Sequence, residues 1–232
     1  MNGDSLARAD AADAAGEAKI EGAAAAAPAE TWALTQILIQ SRQTVMPRRL
    51  TEPGPDAAQL HDLLALAAAA PDHGQLTPWR FVVIPPSART RLAEVFALAL
   101  TDRDPQASEE QLRHAREKAH RAPLLMVVVA CLGPRDPDIP ALERMVSVGA
   151  AVQNLLLGAH ALGFGTGLTS GKAMASSRLR ALLALTDTEV PVCCINIGTV
   201  GRHKPRQGKR PTPASFTTVL GDATDGGIEG QA

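Results

Sequence analysis

The sequence predicts an α+β protein in which helices are layered around one sheet, and three observations lead there. Apolar residues recur at helical spacing in at least five stretches, and about four shorter runs rich in β-branched residues alternate with them irregularly. No period of similar segments runs through the chain, which sets aside a repeat architecture. At 232 residues with 45% apolar content, the chain can build one domain with a substantial core, or at most two small ones.

The elements follow in order. Residues 1–30 are Ala-rich with scattered Asp and Glu, and lack the basic start and apolar core of a secretory signal. They are expected to be a disordered extension of a cytoplasmic protein whose domain spans 31–232. From Thr31, Leu34, Ile37 and Leu38 mark a helix that ends near Ser41. Pro53-Gly54-Pro55 is a rigid loop, and Asp56 opens a helix with Leu60, Leu63, Leu64 and Ala67 on its apolar face. That helix must stop by Ala70, because Pro71 disfavours helical geometry in the residue before it. Residues 80–84 read as a buried strand, and Ser87 as the cap of a helix reaching about Leu100. Ser108 and Gln111 match a capping box ahead of a charged helix to about His120. Residues 124–131 form a β-branched strand expected at the centre of the sheet. The helix over 142–162 is apolar nearly all round and needs more than one packing partner; Gly163 ends it as a left-handed cap. A short segment at 166–168, a helix over 176–185, a strand over 192–198 and a basic loop over 201–210 complete the chain.

Composition narrows the function. The 23 Lys and Arg against 24 Asp and Glu leave a net charge of −1, and two Trp, four Phe and no Tyr offer little for stacking bases. Both facts argue against a nucleic-acid partner. No apolar run reaches the roughly 18 residues of a membrane-spanning helix, so no membrane partner is expected. Cys131, Cys193 and Cys194 lie in strand-like runs and read as inert core thiols, the adjacent pair pointing to opposite faces. Neither GxGxxG nor GxxxxGK[ST] occurs. The six histidines show no metal-ligand spacing, so no metal is expected; His160 reads as a packing or interface residue. Ser170, His73 and Asp72 could be written as a hydrolase triad, but no GxSxG elbow surrounds any serine.

Three segments place polar groups at the ends of apolar elements. Ser41-Arg42-Gln43-Thr44 offers a guanidinium fork and a hydroxyl that suit a phosphate, or else is an ordinary helix end. Residues 70–81, Ala-Pro-Asp-His-Gly-Gln-Leu-Thr-Pro-Trp-Arg-Phe, make a proline-bracketed loop that holds His73, Gln75 and Thr77 near an apolar wall. Its plainer reading is a structural loop with Asp72 as turn residue and Trp79 as core plug. Gly163-Phe164-Gly165, followed by Leu168-Thr169-Ser170, is a helix stop and turn that also lets backbone amides approach a ligand.

Taken in this order, the three segments resemble the FMN-dependent nitroreductase family, from about Ile37 to Leu220. The resemblance implies a nitroreductase-like α+β fold with a central mixed β-sheet flanked by helices. It also implies a homodimer with FMN at the interface, NAD(P)H as co-substrate and a small-molecule electron acceptor such as a nitroaromatic or quinone. It assigns phosphate and ribityl contacts to Arg42, Gln43 and Thr44, flavin-edge contacts to His73, and ring contacts to Leu168, Thr169 and Ser170. A late basic residue of the family matches Arg210 best, with Arg206 and Lys209 as competitors. Gln43 stands where the family carries a second Arg, so charge compensation leans on Arg42 and the late basic loop. Leu168 and Thr169 stand where relatives carry Trp and Arg, which implies a smaller, less charged pocket. No catalytic side chain is implied, since the flavin N5 carries the chemistry. A flavin-sequestering dimer without efficient turnover is the alternative reading.

Overall fold

The computed structural model describes residues 27–133, 139–201 and 210–220. They fall into two units, one within residues 1–202 and one within 203–232. Of residues 1–30, expected to be disordered, 1–26 lie outside the described residues, whereas Pro28 to Glu30 already form the first turn of a helix; most of the basic loop, 202–209, also lies outside the described residues.

In the first unit, α1 (Pro28–Ser41) starts with proline in its first turn, three residues before Thr31, and buries none of its side chains. The chain then forms a short ribbon. Thr44 bridges Thr166 in parallel, the Val45 N–H donates to the Thr166 carbonyl at 2.7 Å, and a 3-10 turn (Pro47–Arg49) leads into β1 (Leu50–Thr51). The helix α2 (Ala57–Ala68) opens with the capping box of Asp56 and Gln59, both bonds at 2.8–3.0 Å. After the loop come β2 (Trp79–Val83), a 3-10 turn (Pro86–Ala88) and α3 (Arg89–Arg103). Ser87 lies inside that turn rather than capping α3, because Pro86 starts a 3-10 turn one step earlier. The expected capping box of Ser108 and Gln111 opens α4 (Glu109–Glu117), which tightens into a 3-10 turn (Lys118–His120). The buried strand β3 (Leu124–Cys131), the long helix α5 (Ala141–Ala161), β4 (Gly165–Thr169), α6 (Ser177–Leu182) and β5 (Glu189–Val200) follow. Gly163 takes φ +85 at the end of α5, as the cap requires.

The strands form one sheet in the order β1-β5-β3-β2, with β4 also paired to β5. All ladders between strands are antiparallel, and the isolated Thr44–Thr166 bridge is the parallel element. β3 is central as expected. β2 pairs with β3 alone and is half-exposed rather than buried, because it is an edge.

Two apolar layers cover the sheet. Met126, Val128, Cys193, Ile195 and Ile197 face Leu63 of α2 and Val148, Ala151 and Leu155 of α5. Leu125, Val127, Val129 and Cys194 face Leu92 and Phe96 of α3, Ala115 of α4 and Leu179 of α6. The two adjacent cysteines thus sit on opposite faces, as strand alternation demands. Arg89, 6% exposed, ties the second layer together by donating to the carbonyls of Ile84, Ala119, Ala122 and Pro123 at 2.7–3.1 Å. Four carbonyls replace the water that a buried guanidinium would otherwise lose.

Candidate functional site

The second layer leaves a gap. Where β4 ends, the sheet face presents Thr169, Cys194 and Asn196, and the walls come from α3 and from α4 with its following turn. They enclose a cavity of about 450 Å³, with Pro47 of the ribbon and residues Ser170 to Met174 at its rim. Its size falls in the range of small-molecule sites, roughly 300–1,000 Å³.

The floor is held rigidly. Asn196, 2% exposed, donates from Nδ2 to the Gly167 carbonyl at 3.2 Å and to Thr169 Oγ1 at 3.0 Å. Ser170 Oγ donates to the Val192 carbonyl at 3.3 Å. Cys194 is a neutral wall, because burial, with a smaller push from Cys193, drives its thiol pKa up to about 12. Gly167 lets the ribbon lie against β4, since a Cβ there would come within 2.3 Å of the Val45 carbonyl oxygen.

The lining is basic. Arg103, His114, Lys118, Arg121 and Lys172 all border the cavity, and no aspartate or glutamate is among the described residues that do. Arg121 has a carboxylate of Glu117 4.0 Å away. His114, Lys118 and Arg121 recur at i, i+4 and i+7, which brings them to one side of the helix and its following turn. The spacing alone predicts no more than a charged helix over this stretch. That basic stripe was the available signal, and only the docking of α4 on the sheet turns it into a site. These cations come from outside the three motif segments, on α3, on α4 with its following turn, and on the 3-10 turn after β4.

Of the expected site residues, Thr169 and Ser170 border the cavity. Leu168 does not; alternation turns its side chain to the other face, where it is 44% exposed. Thr44 is tied to Thr166 of β4, three residues before Thr169, and Arg42 and Gln43 precede it as the chain leaves α1. Five residues after Thr44, Arg49 holds Nε and Nη1 buried with no hydrogen-bond partner among the described residues. His73 stands away from this cavity, with its Nδ1 in contact with Glu143 Oε1 at the start of α5. Its loop is sharply turned. Gly74, Gln75 and Thr77 all have positive φ, and Asp72 Oδ2 accepts the Thr77 N–H at 2.6 Å, the turn role expected of Asp72. His160 Nε2 lies 2.7 Å from Ser41 Oγ and pins the end of α1 to α5. Arg210 begins the described stretch of the second unit, which contains one 3-10 turn (Pro213–Ser215). Arg206 and Lys209 lie outside the described residues. Among the described residues no His, Cys, Asp and Glu group could hold a metal, and no helix is long and apolar enough to cross a membrane.

Comparison with known proteins agrees with this geometry. A Haemophilus influenzae protein named "Putative NAD(P)H nitroreductase" is 33% identical over 173 residues, 75% of this chain and 93% of that protein. The crystal structure of a nitroreductase-like family protein from Bacillus cereus superposes with a TM-score of 0.66 at 24% identity, covering 79% of this chain and 94% of that one. Oxidized iodotyrosine deiodinase, solved bound to FMN and 3-iodo-L-tyrosine, shares the fold with a TM-score of 0.57 at 20% identity, covering 78% of this chain and 98% of that one. The Nitroreductase family profile matches residues 39–199, which take in the ribbon, the sheet and both walls of the cavity, and the chain belongs to that family of oxidoreductases.

Proposed function

We propose that the chain is an FMN-dependent NAD(P)H oxidoreductase that works as a homodimer and passes electrons to a small acceptor such as a nitroaromatic or quinone. The observation that carries this reading is the basic, carboxylate-free cavity closed by Thr169 and Ser170. The residues present fit FMN. The cavity has the volume for a planar ring system, its lining is positive, and half-buried Arg49, in the same ribbon as Thr44, has its Nε and Nη1 buried without a hydrogen-bond partner among the described residues. When bound, FMN supplies two-electron transfer between nicotinamide and acceptor.

The chain's own residues bind, orient and bias the charge. His114, Lys118 and Arg121 hold a positive potential over the cavity, which favours a ligand that gains negative charge on reduction. Asn196 fixes the Thr169 hydroxyl, so the end of β4 meets the ring with little freedom. Arg42, Gln43 and Thr44, backed by Arg49, would hold the phosphate and ribityl chain. No side chain need act as nucleophile, in line with a neutral Cys194.

The homodimer reading rests on exposed apolar surface. α1 leaves Trp32 62%, Leu34 64% and Ile37 66% exposed, and α5 leaves Leu142 82% and Val146 69% exposed. Apolar surface of this kind is expected to be covered in the working assembly.

The test is the visible spectrum of the purified protein before and after anaerobic NADPH or NADH. Yellow protein that bleaches within seconds supports a reductase. Yellow protein that stays oxidised would support the flavin-sequestering alternative, and colourless protein that takes up no FMN would overturn both.

A further inference from the structure

A second, more open hollow of about 260 Å³ lies beside the cavity, and Arg103 and Lys172 are the two described residues that border both. They come from separate elements, the last turn of α3 and a 3-10 turn (Lys172–Ala175). Their juxtaposition is therefore a product of the fold and not of local sequence.

Neither cation is neutralised. Two carboxylates flank Arg103 in sequence: Asp104, whose Oδ1 accepts the Gln106 N–H at 3.2 Å, and Asp102, which also borders the second hollow but has both oxygens occupied by Arg178 at 2.6 and 2.8 Å. That pairing holds the Asp102 carboxyl below its ordinary pKa, so it stays charged and committed to Arg178. Neither Arg103 nor Lys172 forms an ion pair among the described residues. Helix-dipole complementarity explains a basic residue at the end of α3, but not a lysine from another element facing the same opening. In the flavin reading, His114, Lys118 and Arg121 on the α4 side of the cavity meet the charge of a reduced ring. Arg103 and Lys172 are two cations beyond that need, and they border both hollows.

We propose that Arg103 and Lys172 are a selectivity pair that recognises an anionic group, a phosphate or carboxylate, carried by a substrate that exchanges electrons in the cavity. This rests on the flavin reading of the cavity and adds the charge class of what enters it. The group has two possible sources, the 2′-phosphate that distinguishes NADPH from NADH and a carboxylate on the acceptor.

The test compares the FMN-loaded wild type with the doubly substituted Arg103→Gln, Lys172→Gln protein. Two matched pairs are assayed, NADPH against NADH, and 4-nitrobenzoate against 4-nitrobenzamide. The kcat/KM ratio of charged to less charged member should fall about tenfold or more in one pair, as expected for losing charge-assisted contacts. The pair that moves names the source. Exchanging the two cations, Arg103→Lys with Lys172→Arg, should restore most of the ratio. Calorimetric titration with 2′,5′-ADP and with benzoate gives a readout that needs no turnover, and the same double substitution should weaken one of them by a similar factor. Equal effects on both members of each pair, or none, would overturn the proposal. So would loss of FMN from the double variant, which would give the two residues to the cofactor's phosphate. A wild type that takes up no FMN would defeat the flavin reading, while the anion titration would still decide the role of this pair.

Discussion

The two faces of the sheet carry the same backbone and differ by one residue of register. On β5, Cys193 and Ile195 point into the layer under α2 and α5, where Ile195, Leu155 and Ala151 are wholly buried. Cys194 and Asn196 point the other way, toward a layer that stops short and leaves a cavity of about 450 Å³. One face is filled by apolar side chains. The other replaces that filling, at the end of β4, with an amide, two hydroxyls and a ring of cations. Both layers bury apolar side chains completely, but the second stops short at the end of β4, and the cavity lies there.

The largest effect that sharpens this contrast is on the filled face. Leu155→Ala should lower stability by about 2–5 kcal/mol, through lost burial and a residual cavity. Urea unfolding would measure it, with the flavin bound per folded molecule unchanged. On the other face, Arg42→Ala should weaken FMN binding by about 1.5–3 kcal/mol, the scale of a charge-assisted contact, with little change in the unfolding midpoint of the apoprotein. A flavin fluorescence titration reads it, and unchanged affinity would move the phosphate site away from the ribbon.

Gly167→Ala tests whether the ribbon and the cavity are mechanically joined. Its Cβ would collide with the Val45 carbonyl, so the ribbon must lift from β4, at a cost of about 1–3 kcal/mol. Both thermal stability and FMN retention should fall together. Retention at the wild-type level would separate the two parts.

The smallest effect lies away from both faces, at the Arg80–Glu189 pair, 2.9 Å apart. The hydrogen bond from Arg80 is the main reason that the Glu189 pKa is lowered from 4.5, aided by Thr186. A depressed carboxylate stabilises the fold above its unfolded pKa and loses that contribution as pH falls through the folded value. Glu189→Gln should therefore be less stable than wild type at pH 7, and the gap should close as the medium is acidified below about 4. Urea midpoints at pH 7 and pH 3 would show it. A gap that widened in acid would reverse the sign.

Much of the fold was legible because its signals are local. Both capping boxes, the β-branched run of β3, the glycine that ends α5 and the opposed cysteines each depend on a few adjacent residues. Ser87 misled because a good cap residue was preceded by a proline that starts a tighter turn, and β2 because an apolar run does not say whether a strand is central or an edge. The site was half legible. Thr169 and Ser170 were found by motif and do border the cavity, yet Leu168 between the same glycines and threonine turns away, since a strand alternates whatever the motif. Arg103, Lys118 and Asn196 were missed because each becomes part of a site only when α3 and α4 dock on the sheet. The buried contacts of Arg89 with four carbonyls were invisible for the same reason.

The central claim is that the basic cavity is where FMN sits. Lys118 is exposed, forms no ion pair among the described residues and borders the cavity, so its charge can be reversed with little disturbance to the core. An FMN titration of Lys118→Glu beside wild type, each with its thermal midpoint, addresses the claim directly. Affinity should fall about tenfold or more, with the midpoint of the apoprotein within a few degrees of wild type. Wild-type FMN affinity in a protein carrying that reversed charge would place the cofactor elsewhere.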